Sequence, residues 1–436
     1  MAGPGRYLIF FSINTGKRPC QISFSFYLCT NVRRIVLILC LLAFAFGAAA
    51  QGTDSLRLGF IVRGQVVDAG SGSPMESVTV TIPGRHYATV TNADGRFVVK
   101  SDREIARVEF SFLGYKKRAV AAHDGMKVRL QRENLLLEEA SIISGDPRSI
   151  VDYAVDNLWD TYCTEPELLE CFYRETVQKR NRYTYVAEAV ARLYKASYDG
   201  SVSWDAAALE KSRVLMSQRR QDTLSVKTQG GPTMALSLDF AKNNALLFNR
   251  EDMELYSYHM ELPSYINDRL QFVIRMEPEG LAPYALYHVK LYIDREWLCF
   301  TRIEASLDMQ DKARATQMLL VRKPFSLRFF PEESTLVVNY RVEDGKARLG
   351  YFRSTLRFAC DWRKRLFKTH YTAVNELVVT DLRPEALLIE RKDRFRTSDI
   401  LDDKAPEFLD PDFWLDYNII EPSESLEHAI HRLRKN

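Results

Sequence analysis

The chain has 436 residues, 46% hydrophobic and 27% charged, an ordinary balance for folded protein and far from that of a disordered chain. That length exceeds one common core and implies two folded units beside a leader. The formal net charge is +3, but Arg6, Lys17, Arg18, Arg33 and Arg34 fall within residues 1–50, which hold no acid. The remainder therefore nets −2 and offers no electrostatic footprint for nucleic acid.

Arg33 and Arg34 precede "IVLILCLLAFAFGAAAQG", an apolar run closed by small residues. These are the parts of a secretory signal peptide, with Ala48 and Ala50 before a cut ahead of Gln51. The expectation is an exported protein, periplasmic or associated with the outer membrane, with residues 1–50 as leader. A membrane span competes, although the run falls short of the roughly 20 apolar residues a crossing helix needs. Cys40 is followed by further apolar residues, unlike a lipoprotein leader, which ends at its cysteine. After the leader, Cys163, Cys171, Cys299 and Cys360 are scattered, with no C-x-x-C. Disulfides, for example between Cys163 and Cys171, and buried free thiols both fit that pattern.

From residue 59 to 131 the pattern changes. Val62, Gly64 and Val66, then Val78, Val80 and Ile82, alternate with polar or small residues, as half-buried strands require. Turn clusters at "DAGSGSP", "NADG", "SDREI" and "AHDG" interrupt them at the spacing of an antiparallel sandwich. Asp94 and Gly95 are expected to supply the positive backbone angles of a tight hairpin turn, with Phe97 and Val99 on one face of the next strand and Val98 on the other. Arg96 and Phe97 spoil the ligand spacing of a calcium loop.

Gly64, Asp68, Pro74, Asp94, Gly95, Phe97, Gly114 and Tyr115 carry a resemblance to the carboxypeptidase regulatory-like module of exported Bacteroidota proteins. The resemblance implies a transthyretin-like, seven-stranded β-sandwich over about 75 residues. It implies no peptidase activity, because in carboxypeptidases the zinc site lies in a separate domain. The sequence agrees: none of the seven histidines is followed by Glu three residues later. His428 and His431 share one side of a helix, where Glu424 and Glu427 give them ordinary surface pairing.

Residues 132–145 read as a linker, and residues 146–436 as a larger antiparallel, β-rich α+β domain with flanking helices. Asp146 is a helix N-cap and Pro147 the first helical residue, with Ile150, Val151, Ala154, Val155 and Leu158 as the buried stripe. "LLECFYRETVQKRNRYTYVAEAVARLYKA" reads as two long strands joined at Lys179 to Arg182, although "VAEAVARLYKA" also suits a helix. Hairpins are expected at Asp294 to Glu296 and at Asp344 and Gly345, and "TAVNELVVTDL" adds a strand. "SESLEHAIHRL" closes the chain as a helix capped by Ser423 or Ser425, docking through Leu426, Ile430 and Leu433.

"HVKLYIDREWLCFTRIEASL" is similar to strand pairs in periplasmic lipoprotein-carrier half-barrels, which hold acyl chains in an apolar concavity. The order of elements along the mature chain also looks like that of exported Bacteroidota proteins carrying the regulatory-like module. The nine aromatic residues from Tyr256 to Phe300 suit sheet packing better than ligand stacking. Residues 318–334 mix basic and aromatic side chains, as a membrane-contacting surface or a partly buried strand would. No nucleophile elbow or phosphate loop is present, so no catalytic, cofactor-binding or metal-binding residue is singled out. The leading expectation is a non-catalytic cell-envelope protein that binds a partner or apolar ligand. A lipid or lipoprotein carrier and a hydrolase with a site assembled only in the fold are the alternatives.

Overall fold

The computed structural model describes residues 11–15, 59–133, 145–219, 222, 224–343, 345–362, 367–383, 387–404, 414 and 416–434. The apolar leader run and most of the expected linker lie outside the described residues. β1 (Phe11–Thr15) is separate from the sandwich and belongs to a small sheet described below.

The alternating residues after position 59 form β2 (Phe60–Asp68), β3 (Thr79–Thr81), β4 (Ala88–Val90), β5 (Arg96–Ser101), β6 (Arg107–Ser111), β7 (Arg118–Ala121) and β8 (Met126–Leu130). They make two sheets, ordered β5-β2-β8 and β4-β3-β6-β7, with Val66, Val80, Phe97, Phe110 and Val128 buried between them. Gly64 lets β2 lie close beside β8, because a Cβ there would strike the Met126 carbonyl. Asp68 accepts from the Gly70 and Ser71 amides and from the Tyr115 hydroxyl, which holds its carboxyl well below the usual carboxylate range.

The "NADG" turn differs from the hairpin expected. It closes one backbone pair, Asn92 with Arg96, after which β4 and β5 diverge into opposite sheets. Gly95 alone takes a positive φ, 69°, and Asn92 Oδ1 organises the bend by accepting from the amides of Asp94 and Arg96. Phe97 and Val99 face the sandwich core as expected, while Val98 faces the second domain.

In that domain, α1 (Pro147–Asp156) starts at Asp146, which accepts from the Ser149 amide, and buries Val151, Ala154 and Val155. The strands that follow are β9 (Glu167–Lys179), β10 (Arg182–Lys195), β11 (Ala206–Met216), β12 (Leu224–Thr228), β13 (Tyr256–Ile266), β14 (Arg269–Pro278), β15 (Tyr287–Asp294), β16 (Phe300–Leu307), β17 (Leu320–Arg322), β18 (Leu327–Glu343), β19 (Lys346–Trp362) and β20 (Thr369–Arg383). Ten of them form one antiparallel sheet, ordered β11-β10-β9-β20-β19-β18-β16-β15-β14-β13. The small sheet β12-β1-β17 stands beside it.

"VAEAVARLYKA" is strand, not helix. β10 hydrogen-bonds along its length to β9 and β11, and Val186 and Val190 are buried on one face while Ala187, Ala189, Ala191 and Leu193 are buried on the other. A helix cannot satisfy two buried faces at that period, so the tertiary setting overrides propensity. Arg180 and Asn181, with φ of 47° and 62°, form the turn between β9 and β10. The turn after β15 spans more residues than expected, because Asp294 accepts from the Glu296 and Trp297 amides before β16 begins at Phe300.

One face of the large sheet is apolar and covered. α1, α2 (Lys312–Leu319) and the segment from Met234 to Met253 pack on it, joining Tyr173, Ile274, Leu291, Ile303, Val338 and Phe352 in a single core. Phe248 stacks on Phe300, and the Tyr162 hydroxyl donates to the Phe300 carbonyl at 2.8 Å. The other face receives the sandwich and α3 (Glu424–Arg434), whose Leu426, Ile430 and Leu433 pack on Val186 and Leu215. Cys163, Cys171, Cys299 and Cys360 are buried free thiols, so the Cys163–Cys171 bridge does not form.

Candidate functional site

The sandwich meets the large sheet chiefly at two separated places. At the first, Val90 and Val98 pack against Phe172, Val190 and Val378, with Trp414, Ile419 and Ile420 completing the cluster. Asn418 pairs with both backbone groups of Lys100, at 2.7 and 3.0 Å, and Thr89 donates to the Ile419 carbonyl. The "NADG" turn takes part: Asn92 donates to the Pro422 carbonyl, and Asp94 accepts from the Glu424 amide at 2.7 Å, capping α3. At the second place, the amides of Gly114 and Lys117 bond Tyr265 O and Asp268 Oδ1 on the hairpin between β13 and β14.

Between these two attachments lies a cleft of about 650 Å³, crossed by a contact between His86 and Glu343. Its floor is the outer face of β16 and β18, with Arg302, Asn339, Arg341 and Glu343. Its wall is Thr79 and Thr81 of β3, Glu109 and Ser111 of β6, and the loop from Ile82 to His86. The alternation that sends Val338 and Tyr340 into the apolar core sends Asn339 and Arg341 outward into the cleft.

Nearly every basic side chain here has an acid of its own. Lys117 pairs with Glu109 at 2.6 Å, Arg85 with Asp102 at 3.0 Å and His86 with Glu343 at 3.3 Å. Arg302 binds Glu304 at 2.6 Å and Asn339 at 2.9 Å, and Arg269 is held by Asp294 while its guanidinium lies 3.8 Å above the Trp297 ring. Arg341 is the exception. One terminal nitrogen donates to the Val379 carbonyl at 3.3 Å, and the other is buried without a hydrogen-bond partner. Burial also pulls the Arg341 pKa below its ordinary value, which marks a charge short of compensation. Its seat is made by Gly350 on β19, where a Cβ would stand 2.9 Å from Arg341 Cγ.

Two other polar clusters lie in the core. Lys195 and Lys242 pair with Asp205 and Asp239, while Tyr198 and Tyr340 donate to Asp239, a charge-balanced group that ties residues 239–242 to β10 and β18. Glu175 accepts from Tyr173 at 2.9 Å and Tyr185 at 2.6 Å, and burial pushes its pKa up to about 7.

His428 and His431 are exposed on α3, and His431 reaches Glu427 at 4.0 Å. Among the described residues no three His, Cys, Asp or Glu side chains gather as metal ligands. Tyr256, Tyr258, Phe272, Tyr284, Tyr287, Trp297 and Phe300 pack on the core. The sequence pattern does not single out Arg341, because its setting is made by β18, β19 and β20 together. The one local signal is Gly350 within a long strand, a mark of close side-chain approach.

Residues 62–143 match the CarboxypepD_reg-like domain family. No curated protein matches the chain. Among solved structures, MucB in complex with MucA(peri) is 13% identical with a TM-score of 0.18, over 56% of this chain and 100% of that one. A DUF1329 family protein from Desulfovibrio piger is 11% identical with a TM-score of 0.24, over 55% and 93%. A LolA superfamily protein from Nitrosomonas europaea is 10% identical with a TM-score of 0.18, over 57% and 100%. At these scores the likenesses carry no functional argument.

Proposed function

We propose that this chain is an exported, non-catalytic binding protein of the cell envelope, and that the cleft between the sandwich and the ten-stranded sheet receives a polar ligand bearing an anionic group. The observation that carries this reading is Arg341, whose buried guanidinium nitrogen lacks a partner on the cleft floor. A buried donor left unmade costs about 1–3 kcal/mol, so a guanidinium that turns toward a ligand carboxylate or phosphate in the cleft recovers about that much, which favours an anionic ligand. Inorganic phosphate and glucuronate serve as probes in calorimetric titration of the full chain. Binding that weakens about tenfold to a hundredfold in Arg341→Gln supports the assignment. Gly350→Ala is expected to weaken it as well, by displacing Arg341 from its seat. Absence of binding, or equal binding by Arg341→Gln, refutes it.

A second reading rests on the covered apolar face. The sheet's inner surface is closed by α1, α2 and the short helical turns between Thr233 and Met253, an arrangement in which an acyl chain would lie beneath the cover once it lifts. Solvent extraction of purified protein and uptake of a fluorescent fatty acid test this carrier reading. Failure of both removes it.

A further inference from the structure

A second surface lies at one end of the large sheet, where β18 begins, β19 ends and β20 begins. Leu327 pairs with Trp362, and Cys360 pairs with Thr369, so the residues just before Leu327 and just before Thr369 project from the same end. Phe325 and Phe367 each stand two residues before these strands start. Because β19 lies between the two strands, their ends stand about 10 Å apart across the sheet by ordinary strand spacing. Phe325 and Phe367 are 90% and 76% exposed, and Val321, four residues before Phe325 in the chain, is 48% exposed. Exposed apolar side chains gathered at one end, rather than scattered singly, mark an interaction surface.

Charge surrounds these side chains. Arg322, Lys323, Arg328 and Lys368 are all exposed at this end, and the Lys323 ammonium folds back to the Leu327 carbonyl at 2.7 Å. The Lys368 ammonium lies 4.0 Å above the Phe330 ring, placing its charge at the base of the apolar tip. Asp361, opposite Arg328 in the strand pairing, is the acid in register here. A chain that nets −2 beyond its first 50 residues thus gathers positive charge at one apolar end.

We propose that this end docks on the surface of an anionic phospholipid bilayer, with Phe325, Phe367 and Val321 entering the headgroup boundary and the four cations meeting lipid phosphates. The combination decides the partner class. A polyanion alone needs the cations but not the apolar side chains, and a neutral apolar partner needs the reverse. Docking leaves the cleft between the domains out of the contact, since none of these residues lines it.

Vesicle co-sedimentation of the full chain tests the assignment, with phosphatidylglycerol-containing vesicles against pure phosphatidylcholine. All variants share the apolar leader, so its contribution cancels in the comparison. Each cation near an anionic surface strengthens binding about fivefold, so Arg322→Glu with Lys323→Glu is expected to weaken retention on anionic vesicles by about 25-fold or more. Phe325→Ser with Phe367→Ser is expected to weaken it by roughly tenfold or more. Lys392→Glu, an exposed reversal distant in sequence, keeps wild-type retention. All these positions are surface ones, and unchanged melting temperatures confirm folding. The proposal is overturned if the wild type fails to sediment with anionic vesicles, if the tip variants bind like wild type, or if Lys392→Glu loses as much. Loss with the charge reversals alone, the phenylalanine changes having no effect, identifies a polyanion site and also overturns it.

Discussion

Glu175 offers a test of the interior that depends on sign as well as size. It sits on β9 facing the apolar core, 1% exposed, and receives hydrogen bonds from Tyr173 and Tyr185. Burial raises its pKa from the ordinary 4.5 to about 7, the two phenols oppose the rise, and Asp402 adds to it. Between those two values the folded chain holds a proton that the unfolded chain has released. Because the folded pKa is the higher one, the associated stability is present below pH 4.5 and is lost as pH rises through 7. From pH 5 to pH 8 the loss amounts to about 2.5 kcal/mol. Glu175→Gln is neutral at every pH, so it removes this slope. Any cost of remaking the phenol hydrogen bonds is an offset common to all pH values. The five tryptophans, Trp159, Trp204, Trp297, Trp362 and Trp414, all lie outside the sandwich, so their fluorescence during urea unfolding reports the large domain. Wild type is expected to lose about 2.5 kcal/mol more than Glu175→Gln over this range. Parallel pH profiles for the two proteins refute the reasoning.

Three further outcomes are expected. Glu188→Gln removes the carboxylate shared by Arg174 and Arg213, leaving two buried guanidinium groups side by side, and should cost about 3–5 kcal/mol in the same fluorescence assay; a loss below 1 kcal/mol would show that solvent or the Ile420 carbonyl compensates. Gly95→Ala forces a side chain into a left-handed backbone with its Cβ against the Val66 carbonyl, so it should cost more than the ~1–2 kcal/mol of backbone strain alone, seen as proteolysis of the sandwich at lower temperature. Cys163, Cys171, Cys299 and Cys360 should resist maleimide in the native protein and all label in guanidinium without reductant. Burial pushes the Cys299 and Cys360 thiols up to about 12, which suppresses the reactive thiolate further.

How much was legible follows from where each signal resides. In residues 59–131, alternation reports burial directly, and Gly64, Asp68 and Tyr115 meet within one sandwich, so sheet number and core were readable. α1 was readable because cap, proline and stripe lie within a dozen residues. β10 was ambiguous for a physical reason: both its faces are buried, one by the core and one by the sandwich and α3, which erases the alternation. The "NADG" stretch illustrates the boundary. Its turn residues announced a bend, but whether the bend returned to the same sheet depended on partners at residues 60–68 and 79–81.

Local pattern by itself therefore determined the regulatory-like sandwich, the antiparallel character of the second domain and the two terminal helices, because each depends on neighbours within one element or one hairpin. Tertiary structure alone decided that Asp94 caps a helix 330 residues away, that the four thiols stay free, and that Arg341 is left with an unanswered donor over Gly350. Those features depend on distances between strands far apart in the chain, and such distances are set by how two sheets pack rather than by any residue's own preference.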